Sequence, residues 1–449
     1  MGKLFGTDGV RGVANKELTT QLAFKLGMAG AHILKSDSER KPKIVVGMDT
    51  RISGGMIESA LISGICSVGA NVISVGVMPT PAIAYLTKYS GADAGIVISA
   101  SHNPFEFNGI KFFNSKGYKL DDSLEEKIEE LVFDDCKKVS VADGKDIGWK
   151  QYDNDASLLY EDFLKQKISS GFDGLKIAVD CANGATFKIA PKVLKDLGAN
   201  VLVLSDKPNG ININKDCGST HMKELQEFVV KNECDLGLAF DGDGDRVLAV
   251  DELGRLVDGD KIMAIMALDL KNKGKLPKNT VVATVMSNLG LDLFAREHGI
   301  DIQKTKVGDR YVLENMLENG FSIGGEQSGH IILTEHNTTG DGPLTGIMLC
   351  EILKNSGKTI SELASVMEVF PQVLENARVS NHKKYNYLED EVIKDKCKAL
   401  EDEFEGDGRV LIRPSGTEPL VRVMIEGKDE DYIEKRAKEL AGIIEQRLG

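Results

Sequence analysis

Asp241, Asp243 and Asp245 alternate with glycines in LGLAFDGDGDRVLAV, which crowds three carboxylates onto one tight turn between two apolar runs. Unpaired, they repel one another. A hard divalent cation with oxygen ligands removes that penalty, so the turn predicts a site for one Mg²⁺, and the absence of nearby His or Cys disfavours zinc. The competing readings are an acidic surface turn and an EF-hand calcium loop. Glu252 does stand twelfth counted from Asp241, but the sixth position is Arg246 where that loop needs glycine, and the flanks read as strands.

Ser101 closes an apolar run in IVISASHNP, with Pro104 pre-setting the backbone and His102 and Asn103 supplying polar tips. The pattern predicts a serine presented at a strand end rather than buried. A hydrolase elbow is excluded, because Ser99 and Asn103 occupy the two glycine positions of GxSxG. Phosphoryl transfer suits this serine better, since a cation held by the aspartates could also contact a phosphate on Ser101 if the two loops meet. The plain alternative is a turn serine or a helix cap.

Two further loops carry polar chemistry. RPSGTEPLVRV sets Arg413, Ser415, Gly416, Thr417 and Arg422 around one turn: guanidinium gives bidentate contacts, hydroxyls donate, and glycine lets backbone N–H groups approach phosphate oxygens. GGEQSGH offers Glu326, Gln327, Ser328 and His330, a mixture of donors and acceptors suited to sugar hydroxyl or amino groups. Each could also be an ordinary polar turn. Arg11 in FGTDGVRG and Lys111 in NGIKFF, taken alone, read as surface charges. No Walker A loop competes for phosphate, because Ile352 stands where the glycine ahead of Gly357, Lys358 and Thr359 is needed.

The elements that must hold these loops form a weak internal repeat. KIVVGMDT from Lys43, LKIAVDCA from Leu175 and TVVATVMS from Thr280 are short β-branched strands, each followed by a helical segment that stops at glycine (Gly69, Gly198, Gly299) and re-enters a strand. A third element in each copy runs into IVISASHNP, LGLAFDGDGDR or FSIGGEQSGH, and loops beyond strand ends carry function. From about Phe370 the texture changes to a charged helix, two strands around a glycine-bearing turn and a terminal charged helix, which suggests a small α+β domain. The seams divide the chain at 1–155, 156–253, 254–370 and 371–449, with Asp143–Asp155 and Asp251–Gly259 polar enough for connectors. The uncharged stretch Ser59–Thr87, broken by Pro79 and Pro81, reads as a buried helix, a turn and a buried strand rather than a membrane span.

Bulk composition narrows the partners. With 55 basic and 69 acidic residues, the net charge of −14 disfavours nucleic acid and anionic membranes. Seven scattered cysteines without CxxC spacing fit a reducing cytoplasm, and the N-terminal MGKLFGTDGVRG lacks the apolar core of a signal peptide.

ISASHNP, DGDGDR, GGEQSGH and RPSGTEPLVRV occur in this order, one to each segment, and here the chain resembles the α-D-phosphohexomutase family over essentially its whole length. The resemblance implies an α/β protein of four domains: three related mixed α/β sandwiches plus a C-terminal α+β domain similar to the TATA-binding-protein fold, around a central cleft. It implies a phosphoserine at Ser101, with Asp241, Asp243 and Asp245 sharing Mg²⁺ with the serine phosphate. It further places Arg246, Glu326, Ser328, Arg413, Ser415, Gly416, Thr417 and Arg422 on the substrate, and Arg11, Lys111 and His330 near the group in transfer. Any of these last three could be the general base.

Ser99 before Ala100, Gln327 and VGDRYV resemble members acting on glucosamine phosphates, whereas relatives acting on mannose and glucose phosphates more often show Thr and Met at the first two positions. Phe107 departs from the family, where an Asp commonly precedes the Asn-Gly. The implied reaction interconverts glucosamine 6-phosphate and glucosamine 1-phosphate, feeding UDP-N-acetylglucosamine and cell-wall precursors. The alternatives are a phosphomannomutase/phosphoglucomutase with the same machinery and a non-catalytic sugar-phosphate sensor. A phosphosugar is the expected partner, and a homodimer is left open.

Overall fold

The computed structural model describes residues 4–6, 8–35, 40–415 and 418–449. The chain groups into two compact units, Met1–Val285 with Asp301–Ser365, and Met286–Ile300 with Val366–Gly449.

Three sheets lie in the first unit. The first contains β1 (Val10–Val13), β2 (Lys43–Met48), β3 (Asn71–Val77), β4 (Ala94–Ile98), β5 (Phe107–Asn114) and β6 (Lys150–Tyr152). The second contains β7 (Lys176–Asp180), β8 (Asn200–Leu204), β9 (Leu236–Phe240), β10 (Val247–Asp251) and β11 (Leu256–Val257). The third contains β12 (Thr280–Thr284), β13 (Asp301–Thr305), β14 (Ile323–Gly325) and β15 (Ile331–Leu333).

The repeat seen in the sequence is a repeat of topology. Each opening strand, β2, β7 or β12, lies between two parallel neighbours. The third strand then turns back into an antiparallel partner, so the order β5-β4-β2-β3 recurs as β10-β9-β7-β8 and β15-β14-β12-β13. β4, β9 and β12 are buried at every position, which is why they read as unbroken apolar runs without alternation. Antiparallel neighbours need no crossover, so ISASHNP, DGDGDR and EQSGH each link two adjacent strands directly.

Two local expectations change. The stretch Ser59–Thr87 continues past the helix Gly54–Ser67 and β3 into a second helix, Thr80–Tyr89. Pro79 caps that helix and Pro81 sits in its first turn, where a missing N–H costs nothing, so the prolines begin an element instead of interrupting one. The polar connectors also contribute edge strands: β6 pairs parallel to β3, and β11 pairs with β10. Such short edges use backbone groups and little apolar surface, so the hydrophobic pattern did not mark them. No helix among the described residues is long and apolar enough to cross a membrane.

In the second unit β16 (Gln372–Arg378), β17 (Gly408–Pro414) and β18 (Leu420–Gly427) form an antiparallel sheet in the order β16-β18-β17. The terminal helix Glu430–Leu448 presents Ile433, Ala437, Leu440, Ile444 and Leu448 at helical spacing, and these share one core with Val421, Val423 and Ile425 of β18. Burying each of the larger side chains contributes about 1.5–3 kcal/mol. The α+β texture expected of this segment is present.

Candidate active site

The serine loop and the aspartate turn meet. Ser101 Oγ donates a 2.6 Å hydrogen bond to Asp241 Oδ2. The serine is 1% exposed, contrary to the expectation of a presented residue. The cause is the aspartate turn itself, which packs against the serine's backbone so closely that a Cβ on Gly242 would stand 2.6 Å from the Ser101 carbonyl oxygen. Gly244, at φ 70°, lets the same turn fold back within a few residues.

The carboxylates of Asp241, Asp243 and Asp245 each offer an oxygen within 4.8 Å of the others, and all three residues are buried. Asp243 Oδ1 and Asp245 Oδ1 have no hydrogen-bond partner. Burial, then Asp245 and Asp243, push Asp241 well above the usual carboxylate range. Orphaned buried oxygens and mutual repulsion are what a divalent cation with oxygen ligands relieves, so the residues present fit Mg²⁺.

Lys111 projects from β5 and is 2% exposed, so the sequence reading of a lone surface charge does not hold. Its Nζ lies 2.9 Å from Asp243 Oδ2, 3.0 Å from Asp8 and 3.7 Å from Asp245. Burial works against its charge, but Asp243, Asp8 and Asp245 outweigh that and hold it protonated. A lysine held charged in this way places positive charge beside the aspartate trio. Arg11 lies opposite Gly109 in the β1–β5 pairing and forms an ion pair with Asp8. Thr80 donates its hydroxyl to Asp243 Oδ2 at 2.7 Å.

His330, 2% exposed, stands with Nδ1 3.6 Å from Asp245 and Nε2 3.3 Å from Asp309. The Gly340 N–H donates to the same Nε2 at 3.1 Å, which favours a neutral ring whose proton sits on Nδ1, toward Asp245. Burial disfavours a second proton, but Asp309 and Asp245 outweigh it and raise the ring's affinity for one. Groups pulled both ways suit proton exchange. Arg246 reaches His102 Nδ1 at 3.3 Å and lies in the field of Asp245, Asp241 and Glu326, which outweighs burial and raises its pKa.

Glu326 and Ser328 occupy the link from β14 to β15. Glu326 Oε1 accepts from the Gly308 N–H at 3.1 Å, and Ser328 is exposed. The link is seated on the aspartate strand through Val247 N–H, which donates to the Gly329 carbonyl at 3.1 Å. Asp309, in VGDRYV, joins Lys119 at 2.6 Å, and Lys119 also reaches Asp8 at 2.7 Å. Asp8, Thr80, Lys119 and Asp309 were not singled out as site residues. Asp8 and Asp309 lay inside quoted motifs, but no spacing rule marks a single charge that pairs across more than a hundred positions.

In the second unit, Arg413 and Arg422 face each other across β17 and β18. Burial and Arg422 lower the pKa of Arg413, and the Nε atoms of both arginines lack partners. Like charges directly opposite are unfavourable, and the Glu418 carboxylate, 3.1 Å from Arg422, offsets part of that repulsion. Ser415 accepts the Glu418 N–H on its hydroxyl at 3.1 Å, and the buried Lys384 donates to its carbonyl at 2.6 Å. Lys384 is a further cation at this loop that the sequence reading missed. Gly416 and Thr417 lie outside the described residues.

Four phosphoglucomutase/phosphomannomutase models match the chain in order: alpha/beta/alpha domain I over residues 2–138, domain II over 159–254, domain III over 258–370 and the C-terminal domain over 374–443. A phosphoglucosamine mutase from Acetivibrio thermocellus is 65% identical over 449 residues, covering 100% of both chains. This chain belongs to the α-D-phosphohexomutase family.

The phosphohexomutase fold also appears in solved structures. A phosphoglucomutase/phosphomannomutase family protein from Burkholderia thailandensis superposes with a TM-score of 0.80 at 24% identity, covering 98% of this chain and 97% of that one. An N-acetylphosphoglucosamine mutase from Aspergillus fumigatus, solved with GlcNAc-6P and magnesium, gives 0.70 at 18% identity, covering 99% and 96%. As a phosphohexomutase the chain is an enzyme of the phosphotransferase and isomerase kind.

Proposed function

We propose that this enzyme is a phosphoglucosamine mutase that interconverts glucosamine 6-phosphate and glucosamine 1-phosphate through a phosphoseryl group on Ser101 and a bisphosphorylated sugar. The observation that carries the mechanism is the hydrogen bond from Ser101 to Asp241, and the full-length likeness to the Acetivibrio thermocellus phosphoglucosamine mutase supports the substrate. The likeness also favours a cytoplasmic enzyme supplying amino-sugar precursors. Four modules, 1–155, 156–253, 254–370 and 371–449, each contribute one loop.

In the forward direction the P–Oγ bond at Ser101 breaks and a P–O1 bond to the sugar forms. The O1 proton passes to a base, for which His330 is the group best poised, while Oγ leaves and takes up a proton to become the free seryl hydroxyl, so that on balance one proton moves from O1 to Oγ. The bisphosphate then turns around, and its 6-phosphoryl group returns to Oγ with the reverse proton movement, so phosphate is conserved. Asp241, Asp243 and Asp245 would hold one Mg²⁺, which supplies neutralisation of charge on the phosphoryl oxygens. Lys111 and Arg11 add fixed positive charge beside that trio. Glu326, Ser328 and Arg246 bind the substrate, the first two holding the sugar in both orientations, and Arg413, Ser415, Gly416, Thr417 and Arg422 hold the phosphate that is not transferring.

The test is a panel of glucosamine, mannose and glucose 6-phosphates. The highest kcat/KM is expected on glucosamine 6-phosphate. A higher value on mannose or glucose 6-phosphate would instead make the enzyme a phosphomannomutase/phosphoglucomutase, and no turnover on any of the three would point to a sensor.

A further inference from the structure

Ser101 has a φ of 52°, a left-handed backbone that a non-glycine residue adopts at a cost of about 1–3 kcal/mol. Such a conformation persists only where neighbours over-determine it. Here the serine's own carbonyl oxygen accepts two side-chain hydrogen bonds, from Arg51 Nη2 at 2.8 Å and from Asn214 Nδ2 at 2.8 Å. The two donors belong to different repeats, Arg51 following β2 and Asn214 following β8.

The rest of the loop is held by the same pair. Arg51 also donates to the carbonyls of Asn103 at 2.8 Å and Pro104 at 2.5 Å, and Asn214 donates to Asn103 at 3.1 Å. Arg51 is fixed in turn by a 2.8 Å ion pair with Asp49, both side chains being fully buried. Asp49 accepts the Ser99 hydroxyl at 2.5 Å, and Ser99 Oγ accepts the Ser101 N–H at 3.0 Å. The backbone N–H and C=O of Ser101 are therefore both tied to side chains in the Asp49–Arg51 network.

A buried ion pair is a poor source of net stability, because desolvation consumes most of its attraction. This one spends its remaining donors on the carbonyls of the serine loop. We propose that Arg51 and Asn214 are positioning residues for phosphoryl transfer, which together lock the left-handed backbone of Ser101 and so set its Oγ against the aspartate trio. The inference rests on Ser101 being the phosphoryl carrier. It assigns a reason for the donors coming from two repeats: Asn214 stands in the same repeat as the aspartates, so the clamp references the serine to them.

The experiment uses the full-length enzyme carrying phosphate on Ser101, mixed with excess glucosamine 6-phosphate and quenched to follow loss of that phosphate in a single turnover. Asn214→Ala and Arg51→Lys are expected to slow transfer about ten- to hundredfold, the loss typical of a misplaced reacting group, while KM for the sugar phosphate stays within about twofold. Asn214→Asp, which cannot donate and repels both carbonyls, should lose more than Asn214→Ala. If Arg51→Lys fails to fold, the two Asn214 variants decide. Variants that melt earlier yet transfer at the parental rate would reduce the clamp to a structural role and overturn the proposal. A parent that never carries phosphate on Ser101 would overturn the underlying reading together with the clamp, whereas a phosphorylated parent with unaffected variants overturns the clamp alone.

Discussion

Ser101 Oγ lies 2.6 Å from Asp241 Oδ2, although the two residues stand 140 positions apart. The contact joins the turn of one repeat to the turn of the next. It gives the proposed seryl phosphate an immediate neighbour in the carboxylates that fit Mg²⁺.

Metal binding is expected to be visible without turnover. The orphaned oxygens of Asp243 and Asp245 make the folded state the one that binds the ion. Adding Mg²⁺ to metal-free protein should therefore raise the melting temperature, with stabilisation of about 2.7 kcal/mol at a hundredfold excess over Kd. Asp241→Asn should lose most of that rise, and an unchanged response in calorimetry would count against the site.

Arg413 and Arg422, paired across two strands with partnerless Nε atoms, should welcome a phosphate. Arg422→Ala is expected to raise KM for the sugar phosphate about tenfold or more, since a hydrogen bond to a charged group is worth about 1.5–3 kcal/mol. The effect on kcat should be smaller. Steady-state kinetics with equal losses in both parameters would contradict an anchoring role.

Lys119 links Asp8 to Asp309 at 2.7 and 2.6 Å. Lys119→Met leaves both carboxylates without their shared cation, and breaking a largely buried pair this way costs about 3–5 kcal/mol. Urea unfolding should show the loss. Asp8 keeps its ion pairs with Lys111 and Arg11, whereas Asp309 is left facing His330, so adding Asp309→Asn to that variant should recover part of the loss, and a second substitution that deepens it would be the contrary result.

Asp341 predicts a pH dependence. Burial pushes its carboxyl up to about 6, against the opposing Leu344 N–H, Tyr160 hydroxyl and Asn337 amide. Between the ordinary value of 3.8 and about 6 the folded chain binds more protons than the unfolded one, so stability falls as pH rises through that window and levels off above it. Asp341→Asn removes this titration. Relative to the parent, its unfolding free energy should climb by up to about 3 kcal/mol from pH 4 to pH 7. A difference that stays flat across the window would refute the assignment.

Much of this architecture was legible because the repeating strands are β-branched, apolar and doubly buried, so each announces itself without a partner. The loops were legible for a different reason: Asp241, Asp243 and Asp245 are crowded by the chain itself, and so need no tertiary information to suggest a cation. What could not be read depends on folding distant segments together. Lys111 looked like a surface charge because Asp8 and Asp243, its partners, are far away in sequence. Ser101 looked exposed because Gly242, which lets the aspartate turn close over it, carries no signal of what it approaches. The edge strands β6 and β11 are only three and two residues long, too short for a side-chain pattern to record.

The most direct test of the central claim is to incubate the protein with glucosamine 1,6-bisphosphate and Mg²⁺, then digest it and measure the mass of the peptide containing Ser101. One added phosphoryl group is expected on Ser101, lost again when glucosamine 6-phosphate is supplied, with no such group anywhere in Ser101→Ala. A parent protein that turns over substrate while that serine stays unmodified, or a Ser101→Ala variant that keeps its mutase rate, would contradict it.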